Sequence, residues 1–364
     1  MSKVLDLELK DICFSIPGSR SRGYDRHIFN RACFELEAGE CVALLGTSGA
    51  GKTSLLRLIA GFDRPDSGEI FVGNNRVTHL APEDRGVSML FQAPALFPGK
   101  TIEQNALAAR RAAKTSRDEL NRTIAAVAGM VEKFGLDGDT KTLATDLSGG
   151  EYQRAAIIRT LANCSDSKVL LLDEPFKAAL NYRIRWQLME YLKRWQEQSR
   201  VTTLLVTHDF SEAAYLASKI VLIYDKKILF STATELFQRA PNVTVAAIAG
   251  HINKWKLSEH QYRLMPLRVE EDKIRQAGAE WCVCRPSSVE VDPGGTTFSV
   301  LSKTFLGAHT RCELASVSRQ DFRVVADVSS DLAANMKDRC GVTLRPDTVT
   351  FYDRDERRID RLGS

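Results

Sequence analysis

The segment Gly46-Thr47-Ser48-Gly49-Ala50-Gly51-Lys52-Thr53 constrains the fold more than any other feature of this 364-residue chain. It follows an apolar run, Val42-Ala43-Leu44-Leu45, and leads into a helical pattern that continues from Ser54. In such a strand-loop-helix unit, the glycines let backbone N–H groups surround phosphate oxygens, and the helix N-terminus adds partial positive charge. Lys52 would reach the terminal phosphates, and the Thr53 hydroxyl would bind Mg²⁺. The sequence therefore predicts a phosphate site that holds ATP and Mg²⁺ in an α/β fold.

Continuous apolar runs indicate strands that are buried on both faces. Two such runs are Val169-Leu170-Leu171-Leu172 and Thr203-Leu204-Leu205-Val206, and helical patterns separate them. A parallel sheet with crossover helices follows from this alternation. Between Gln92 and Leu147 the strand patterns stop, and periodic Ala- and Arg-rich stretches at residues 102–113 and 117–134 take their place. We expect an all-helical insertion at about residues 95–160.

The sequence pattern changes after residue 240. Short alternating segments, broken by Asp292-Pro293-Gly294-Gly295, predict a β-rich second domain, so the chain divides into residues 1–240 and 241–364. The segments that begin Arg285-Pro286 and Arg345-Pro346 resemble each other, which predicts that two related strands pair within one small OB-like barrel. From Pro241 onward, the chain contains 18 Lys and Arg residues and 17 Asp and Glu residues, so its charges nearly balance. This balance argues against a nucleic-acid partner.

Two adjacent carboxylates end one of the buried runs. Asp173 would hold hydrated Mg²⁺, and Glu174 would polarise the attacking water as a general base. Alone, an Asp-Glu pair at a strand end is more often a solvated turn, but the preceding apolar run and the phosphate loop favour the catalytic interpretation. His208 follows another buried run and leads into Asp209-Phe210-Ser211. Besides capping a helix, it can contact the γ-phosphate and orient the water.

The composition mainly argues against a membrane span, a signal peptide and a zinc site. No apolar run approaches the roughly 18 residues needed to cross a bilayer, and the first residues are too acidic for a signal peptide. We therefore expect the protein to stay where it is made. The eight cysteines lack the paired spacing of a zinc site, which predicts buried, reduced thiols.

The segment Leu147-Ser148-Gly149-Gly150-Glu151 resembles the signature sequence of ABC-transporter ATPases, and the other motifs follow in that family's order. Physically, Ser148, Gly149 and Gly150 open a helix whose N-terminus can bind phosphate. The resemblance implies that this helix completes the nucleotide site of a second subunit, in a head-to-tail homodimer that encloses two ATP molecules. With this layout, the catalytic residues are expected to be Glu174, His208, Gln92 and Lys52.

The segment from Phe91 to Pro98 is similar to the Q-loop of the same family. The resemblance implies that Gln92 reaches the Mg²⁺ and the water, while its loop faces a membrane partner. Without the family context, this segment reads as a surface turn built on Pro94 and Pro98. The expected Mg²⁺ ligands are Thr53, Gln92 and Asp173.

The resemblance extends through the second domain, which looks like the TOBE-type regulatory barrel of bacterial import ATPases. It implies import through separate integral membrane permease subunits, supplied indirectly by an external solute-binding protein, with this chain peripheral on the cytoplasmic face of the inner membrane. The branch it suggests imports ferric iron, polyamines, thiamine, phosphonates, sulfate, molybdate or sugars, and we favour ferric iron or polyamine. A soluble, non-transport ATPase and a regulatory binding module are the alternatives.

Two departures from the family pattern stand out. The family usually has Ser-Ala-Leu-Asp where this chain has Lys177-Ala178-Ala179-Leu180-Asn181, with one extra residue and Asn in place of Asp. We expect this departure to affect communication across the dimer rather than ATP binding. The strand whose end carries the family's adenine-stacking aromatic here ends Phe14-Ser15-Ile16. Either Tyr24 or Phe14 could take that role, with core packing the alternative for Phe14.

Overall fold

The computed structural model describes residues 4–16, 26–112, 115–136, 139–164, 167–177, 182–224, 227–257, 271–307, 309–344 and 348–360. The chain divides into two compact units, Met1–Ala233 and Thr234–Ser364. The change in sequence pattern places this boundary later, after residue 240. Residues 234–240 belong to the second unit, where Nη2 of the buried Arg285 donates to the carbonyl of Phe237 at 3.1 Å.

The first unit alternates strands and helices. In chain order its elements are β1 (Leu5–Ile16), β2 (Arg26–Glu37), β3 (Cys41–Gly46), α1 (Lys52–Ala60), β4 (Ser67–Val72), β5 (Asn75–Arg76), β6 (Val87–Leu90), α2 (Ile102–Ala112), α3 (Arg117–Lys133), α4 (Gly149–Ala162), β7 (Val169–Asp173), α5 (Tyr182–Ser199), β8 (Thr202–Val206), α6 (Phe210–Leu216), β9 (Lys219–Tyr224) and β10 (Lys227–Ser231).

Its central sheet has the order β10-β9-β3-β8-β7-β6, with β10 antiparallel at one edge and every other pair parallel. β7 and β8 are buried along their whole length, as their continuous apolar runs predict. In a parallel sheet, the carboxyl ends of neighbouring strands meet at the same edge. The residues that follow β3, β6, β7 and β8 therefore meet, which brings the phosphate loop, Gln92, Glu174 and His208 together.

Each face of the central sheet has its own apolar core. On one face, α1 and the antiparallel sheet β2-β1-β4-β5 contribute side chains such as Leu7, Leu36, Leu55 and Ile70. On the other face, the helices α2, α3 and α4 pack with α5 around residues such as Val131. The helices predicted at residues 102–113 and 117–134 are confirmed within one residue, apart from residue 113, which lies outside the described residues.

The second unit is mostly β structure, as predicted. Its elements are α7 (Ala233–Gln238), α8 (Val243–Ile248), β11 (Asn253–Lys256), α9 (Glu271–Gln276), β12 (Trp281–Cys284), β13 (Val289–Asp292), β14 (Phe298–Phe305), β15 (Thr310–Ser316), β16 (Arg323–Val328), α10 (Ser330–Asn335), β17 (Arg339–Leu344), β18 (Val349–Tyr352) and β19 (Arg358–Ile359). Two antiparallel sheets, β11-β12-β18-β19 and β13-β17-β14-β15-β16, share one apolar core.

The pairing of the two related segments in this unit differs from the prediction. The strands after Arg285-Pro286 and Arg345-Pro346 are β13 and β18, and they lie in different sheets. β18 pairs with β12, and β13 pairs with β17. Each related strand thus pairs with the strand that precedes the other one, because the two repeats run antiparallel to each other. Residues 345–347 lie outside the described residues.

The cysteines are free thiols, and five of the eight are buried, namely Cys164, Cys282, Cys284, Cys312 and Cys340. The prediction that all of them are buried is wrong for Cys33, which is exposed, and for Cys13 and Cys41, which are partly exposed. Cys33 lies on the half-buried strand β2, where alternate side chains face solvent.

Candidate active site

The residues predicted from separate motifs line one cavity of about 510 Å³. It is formed at the carboxyl edge of the central sheet, where the loop after β3 meets the ends of β6, β7 and β8. The predicted residues that line it are Gly46, Ser48, Gly49, Gly51, Lys52, Thr53, Ser54, Gln92, Asp173, Glu174 and His208. Thr47 and Ala50 belong to the same loop, where the Ala50 N–H donates to the Thr47 carbonyl at 3.1 Å.

The loop needs glycine at two positions for steric reasons. Gly51 has a φ of 99°, and a Cβ there would lie 2.4 Å from Cγ2 of Ile28. At Gly46, a Cβ would lie 2.4 Å from the carbonyl oxygen of Ile223 on β9. Both contacts are too short for any side chain, so these glycines let the loop pass close to its neighbours before α1 begins at Lys52.

Lys52 turns its ammonium group back onto its own loop. Its Nζ donates to the carbonyls of Gly46 at 2.8 Å and Thr47 at 3.0 Å. Burial lowers the pKa of Lys52, and the negative charges of Glu174 and Asp173 oppose that shift. A half-buried cation surrounded by loop carbonyls is well placed to bind the oxygens of a phosphate chain.

Asp173 is the last residue of β7 and is almost fully buried, with 2% of its surface exposed. Burial raises the pKa of the Asp173 carboxyl, and a hydrogen bond with the Thr53 side chain opposes that shift. This contact joins the end of β7 to the first turn of α1. It places a carboxylate and a hydroxyl side by side, and these are the hard oxygen donors that Mg²⁺ prefers.

Glu174 leaves the strand in an unusual backbone conformation, with a φ of 48°. Its N–H donates to the carbonyl of Val206 at 2.9 Å, which fixes this turn against β8. Non-glycine residues with positive φ are uncommon and are found preferentially at functional sites. The two carboxylates have different partners: Asp173 contacts Thr53, whereas Glu174 contacts Gln92 and Lys177.

The two oxygens of the Glu174 carboxylate have different neighbours. Its Oε2 accepts from Nε2 of Gln92 at 2.7 Å and lies 2.8 Å from Nζ of Lys177. Its Oε1 lies 3.5 Å from Nδ1 of His208, whose side chain is 66% exposed. Burial alone would raise the pKa of Glu174, but hydrogen bonds from Lys177 and Gln92 and the nearby charges hold it below its ordinary value. The carboxyl is therefore ionised and points to the same space as His208.

The signature segment begins α4 with a complete capping box. Ser148 is the N-cap; its N–H donates to Oε2 of Glu151 at 2.8 Å and its hydroxyl donates to the same oxygen at 2.6 Å. These bonds lower the pKa of Glu151, the hydroxyl contributing most. Ser148, Gly149 and Gly150 do not line the cavity described above. That these residues complete the nucleotide site of a second subunit remains a prediction.

Comparison with known proteins identifies the family. Residues 29–177 match the sequence profile of the ABC transporter family. The sulfate/thiosulfate import ATP-binding protein CysA of Nocardia farcinica is 34% identical over 79% of this chain and 83% of its own length. This chain belongs to the ABC transporter family. The spermidine/putrescine import ATP-binding protein PotA of Methylococcus capsulatus is also 34% identical, over 75% of this chain and 74% of its own.

Two further matches cover shorter parts of this ABC protein. The PotA protein of Nitratidesulfovibrio vulgaris is 36% identical over 67% of this chain, and the match spans 65% of the relative's own length. The dimeric structure of a post-hydrolysis state of the ATP-binding cassette MJ0796, bound to ADP and Pi, aligns with a TM-score of 0.53. It has 24% sequence identity and covers 62% of this chain and 98% of that chain. The first unit thus has the fold of an ABC-type ATPase.

Several residues at the site of this ABC ATPase were missed by sequence reasoning. Ile16, Arg26 and Ile28 line the cavity beside the phosphate loop, and Nη2 of Arg26 donates to the carbonyl of Gly49. No local motif marks these residues, because the pairing of β1 with β2 brings them to the loop. The sequence pattern marks Lys177 only as part of an altered loop.

The structure excludes Phe14 as the residue that stacks on adenine. Phe14 is 8% exposed and belongs to the apolar core beneath β1, so core packing is its role. Tyr24 lies outside the described residues, as does Asn181 with the altered segment 178–181.

Two side chains of α4 hold the loop that follows Gln92. The Tyr152 hydroxyl accepts from the Leu96 N–H at 2.7 Å, and Nη1 of Arg159 donates to the carbonyl of Ala95. The signature helix and the loop from Gln92 to Pro98 are thereby connected directly. In the part of the chain that the structure describes, no helix is both long and apolar enough to span a membrane.

Proposed function

We propose that this ABC ATPase hydrolyses Mg-ATP to energise the import of a small solute through separate membrane subunits. The observation that carries the proposal is the position of Glu174. Its carboxylate is ionised, lies at the cavity that the phosphate loop forms, and is oriented by Gln92 while His208 lies beside it. A phosphate site alone would support nucleotide binding; a carboxylate aimed into it supports hydrolysis.

In the reaction, a water molecule attacks the γ-phosphorus. The water oxygen forms the new P–O bond while the bond from the γ-phosphorus to the bridging oxygen breaks, which yields ADP and inorganic phosphate. Glu174 accepts a hydrogen bond from the water and takes its proton, and the exposed His208 imidazole contacts the γ-phosphate. Lys52 neutralises charge on the transferred group. The proton then passes to phosphate or solvent.

The donor set fits a magnesium ion that arrives with the nucleotide. Thr53 and Asp173, which are hydrogen-bonded to each other, and the side-chain oxygen of Gln92 would hold it. Mg²⁺ usually keeps several waters and binds one or two carboxylates together with substrate phosphates, so a dense carboxylate cluster is not required. When bound, the ion would neutralise charge on the phosphate oxygens.

Two copies of the chain would form the active assembly. Ser148, Gly149 and Gly150 are absent from the lining of the chain's own cavity, and they start a helix of 14 residues whose N-terminus can bind phosphate. We propose that they complete the site of a second copy, so that two ATP molecules lie between the subunits. The structure of the ATP-binding cassette MJ0796 is described as dimeric, which supports the dimer of this proposal.

A groove of about 540 Å³ beside the loop after Gln92 is the proposed docking place of the membrane subunit. Three alanines of α2, Ala108, Ala109 and Ala112, leave room in it, and Phe97 lies at its wall with 49% of its surface exposed. Phe97 is five residues from Gln92, so a membrane subunit seated there would contact the same loop that orients Glu174. This arrangement would couple transport to hydrolysis, with the chain peripheral on the cytoplasmic face of the membrane.

Polyamine is the favoured solute class. Relatives named as spermidine/putrescine and as sulfate/thiosulfate import proteins match this chain at similar identity, so sulfate or thiosulfate is the main alternative. The expectation of ferric iron stays a prediction, as do thiamine, phosphonate, molybdate and sugars. The second unit would act as a TOBE-type regulatory domain.

Uptake by the assembled transporter tests the proposal. The chain would be purified together with its membrane subunits and reconstituted in vesicles, with ATP inside and the solute-binding protein outside. We expect ATP-dependent accumulation of labelled spermidine or putrescine that stops with Glu174→Gln. Uptake of sulfate alone would replace the polyamine assignment, and no association with any membrane subunit would contradict the import function.

A further inference from the structure

The ammonium group of Lys177 lies directly on the proposed general base. Its Nζ is 2.8 Å from Oε2 of Glu174, the same oxygen that accepts from Gln92. The two residues are three apart along a turn in which the Lys177 N–H donates to the Glu174 carbonyl at 3.3 Å. Glu174 therefore has one oxygen with two donors, while its other oxygen faces His208 at 3.5 Å.

The two partners of this ion pair differ in their exposure to solvent. The Glu174 side chain is 15% exposed and that of Lys177 is 55% exposed. The carboxylate is thus nearly enclosed, whereas the lysine that pairs with it is accessible from solvent.

The exposure of Lys177 to solvent makes the ion pair weak. Ion pairs with a solvated partner are weak, because water and salt compete for the charges. Gln92 donates to the same oxygen of Glu174, so the carboxylate keeps one hydrogen bond when the lysine leaves. A weak and accessible pair is suited to opening when the site changes. As long as it is closed, Oε2 is occupied by donors and does not accept from water.

We infer that Lys177 is a positioning residue that occupies Oε2 of Glu174 and so restrains basal ATP hydrolysis. The inference rests on the proposed function, because it takes Glu174 as the base. When the site closes around ATP and a second copy, the pair opens and Oε2 is released. Lys177 does not take part in the chemical step and is not among the residues that line the cavity at the phosphate loop.

The test is the basal ATPase rate of the full-length protein without membrane subunits. Lys177→Ala and Lys177→Met should raise kcat about two- to fivefold, the size expected for loss of a partly exposed ion pair, and leave the KM for ATP within about twofold. Lys177→Arg should keep the wild-type rate, because it restores the pair. The gain should shrink at high ionic strength, where the wild-type pair is screened.

A matched control removes a similar ion pair elsewhere. Lys254 and Glu356 in the second unit lie 2.7 Å apart with side chains about one third exposed, so Lys254→Ala should leave the basal rate unchanged. The double variant Glu174→Gln with Lys177→Ala should be inactive, because the gain acts through Glu174.

The outcomes separate this inference from the proposed function. An unchanged or lower kcat in Lys177→Ala, or a change in KM alone, would overturn the restraint even where Glu174→Gln is inactive. If Glu174→Gln by itself hydrolyses ATP at the wild-type rate, the assignment of the base fails instead.

Discussion

The side-chain amide of Gln92 donates to Oε2 of Glu174 at 2.7 Å, although the two residues are 82 positions apart in the chain. Gln92 follows β6 and Glu174 follows β7, and these strands are parallel neighbours. The hydrogen bond therefore connects the loop beside the groove to the carboxylate beside the phosphate site. Any movement of that loop changes the surroundings of Glu174.

Replacing Lys52 should weaken nucleotide binding itself. Lys52→Ala removes the ammonium that is held at the loop, and hydrogen bonds to charged groups contribute about 1.5–3 kcal/mol. We expect the Kd for Mg-ATP to rise at least about tenfold, measured by titration calorimetry. The exposed Lys133 is a suitable control, since it lies on α3 in the helical insertion and should give the wild-type Kd when changed to alanine. Unchanged affinity of Lys52→Ala would contradict the phosphate-loop assignment.

Arg26 should contribute to nucleotide affinity although no motif contains it. Its guanidinium donates to the Gly49 carbonyl and lines the cavity, so Arg26→Ala removes one hydrogen bond and one positive charge. A loss of about 1 kcal/mol corresponds to a Kd about five times higher, with Arg26→Lys in between. Arg31 on the same strand is exposed and paired with Asp11, and Arg31→Ala is the matched control. Equal affinities of both alanine variants would remove Arg26 from the site.

Tyr152 should stabilise the contact between the signature helix and the loop after Gln92. Tyr152→Phe leaves the Leu96 N–H without its 2.7 Å partner, which should lower the free energy of unfolding by about 1 kcal/mol in urea titrations. Tyr182, which is 78% exposed, provides the control, because Tyr182→Phe removes a hydroxyl at the surface. Identical unfolding curves for the two variants would mean that the Tyr152 hydroxyl contributes nothing to stability.

The capping box predicts a pH-dependent contribution to stability. The folded protein lowers the pKa of Glu151, so the ionised form stabilises the fold above the unfolded pKa of about 4.3, and this contribution is lost as the pH falls through the lower folded value. Glu151→Gln keeps a hydrogen-bond acceptor without the charge. The wild-type protein should therefore unfold at a higher temperature than Glu151→Gln at neutral pH, and the difference should diminish below about pH 4. A difference that is constant with pH would contradict the assigned cause.

The parts of the fold that were predictable depend on patterns along the chain. Runs such as Leu170-Leu171-Leu172 are apolar because β7 is buried on both faces, and the phosphate loop is defined by its own glycines. Glu174 and His208 were expected at the site because each follows a buried apolar run, whereas Gln92 was expected there only from its resemblance to the Q-loop.

The parts that were not predictable depend on contacts between distant segments. Arg26 reaches Gly49 only because β1 and β2 pair as they do, and no spacing along the chain encodes that contact. The crosswise pairing of β12 with β18 and β13 with β17 arises from two repeats that run antiparallel, whereas sequence similarity says only that they are related. The ion pair of Lys177 depends on the positive φ of Glu174, which bends the chain into a turn.

The central claim is that Glu174 activates water at a nucleotide site shared by two copies of the chain. It is tested most directly by light scattering of Glu174→Gln with Mg-ATP, combined with phosphate release from the same sample. We expect a stable dimer that forms only with nucleotide, retains ATP and releases no phosphate, because the neutral amide cannot take the proton from water. A protein that stays monomeric with ATP bound, or that continues to release phosphate at the wild-type rate, would contradict the claim.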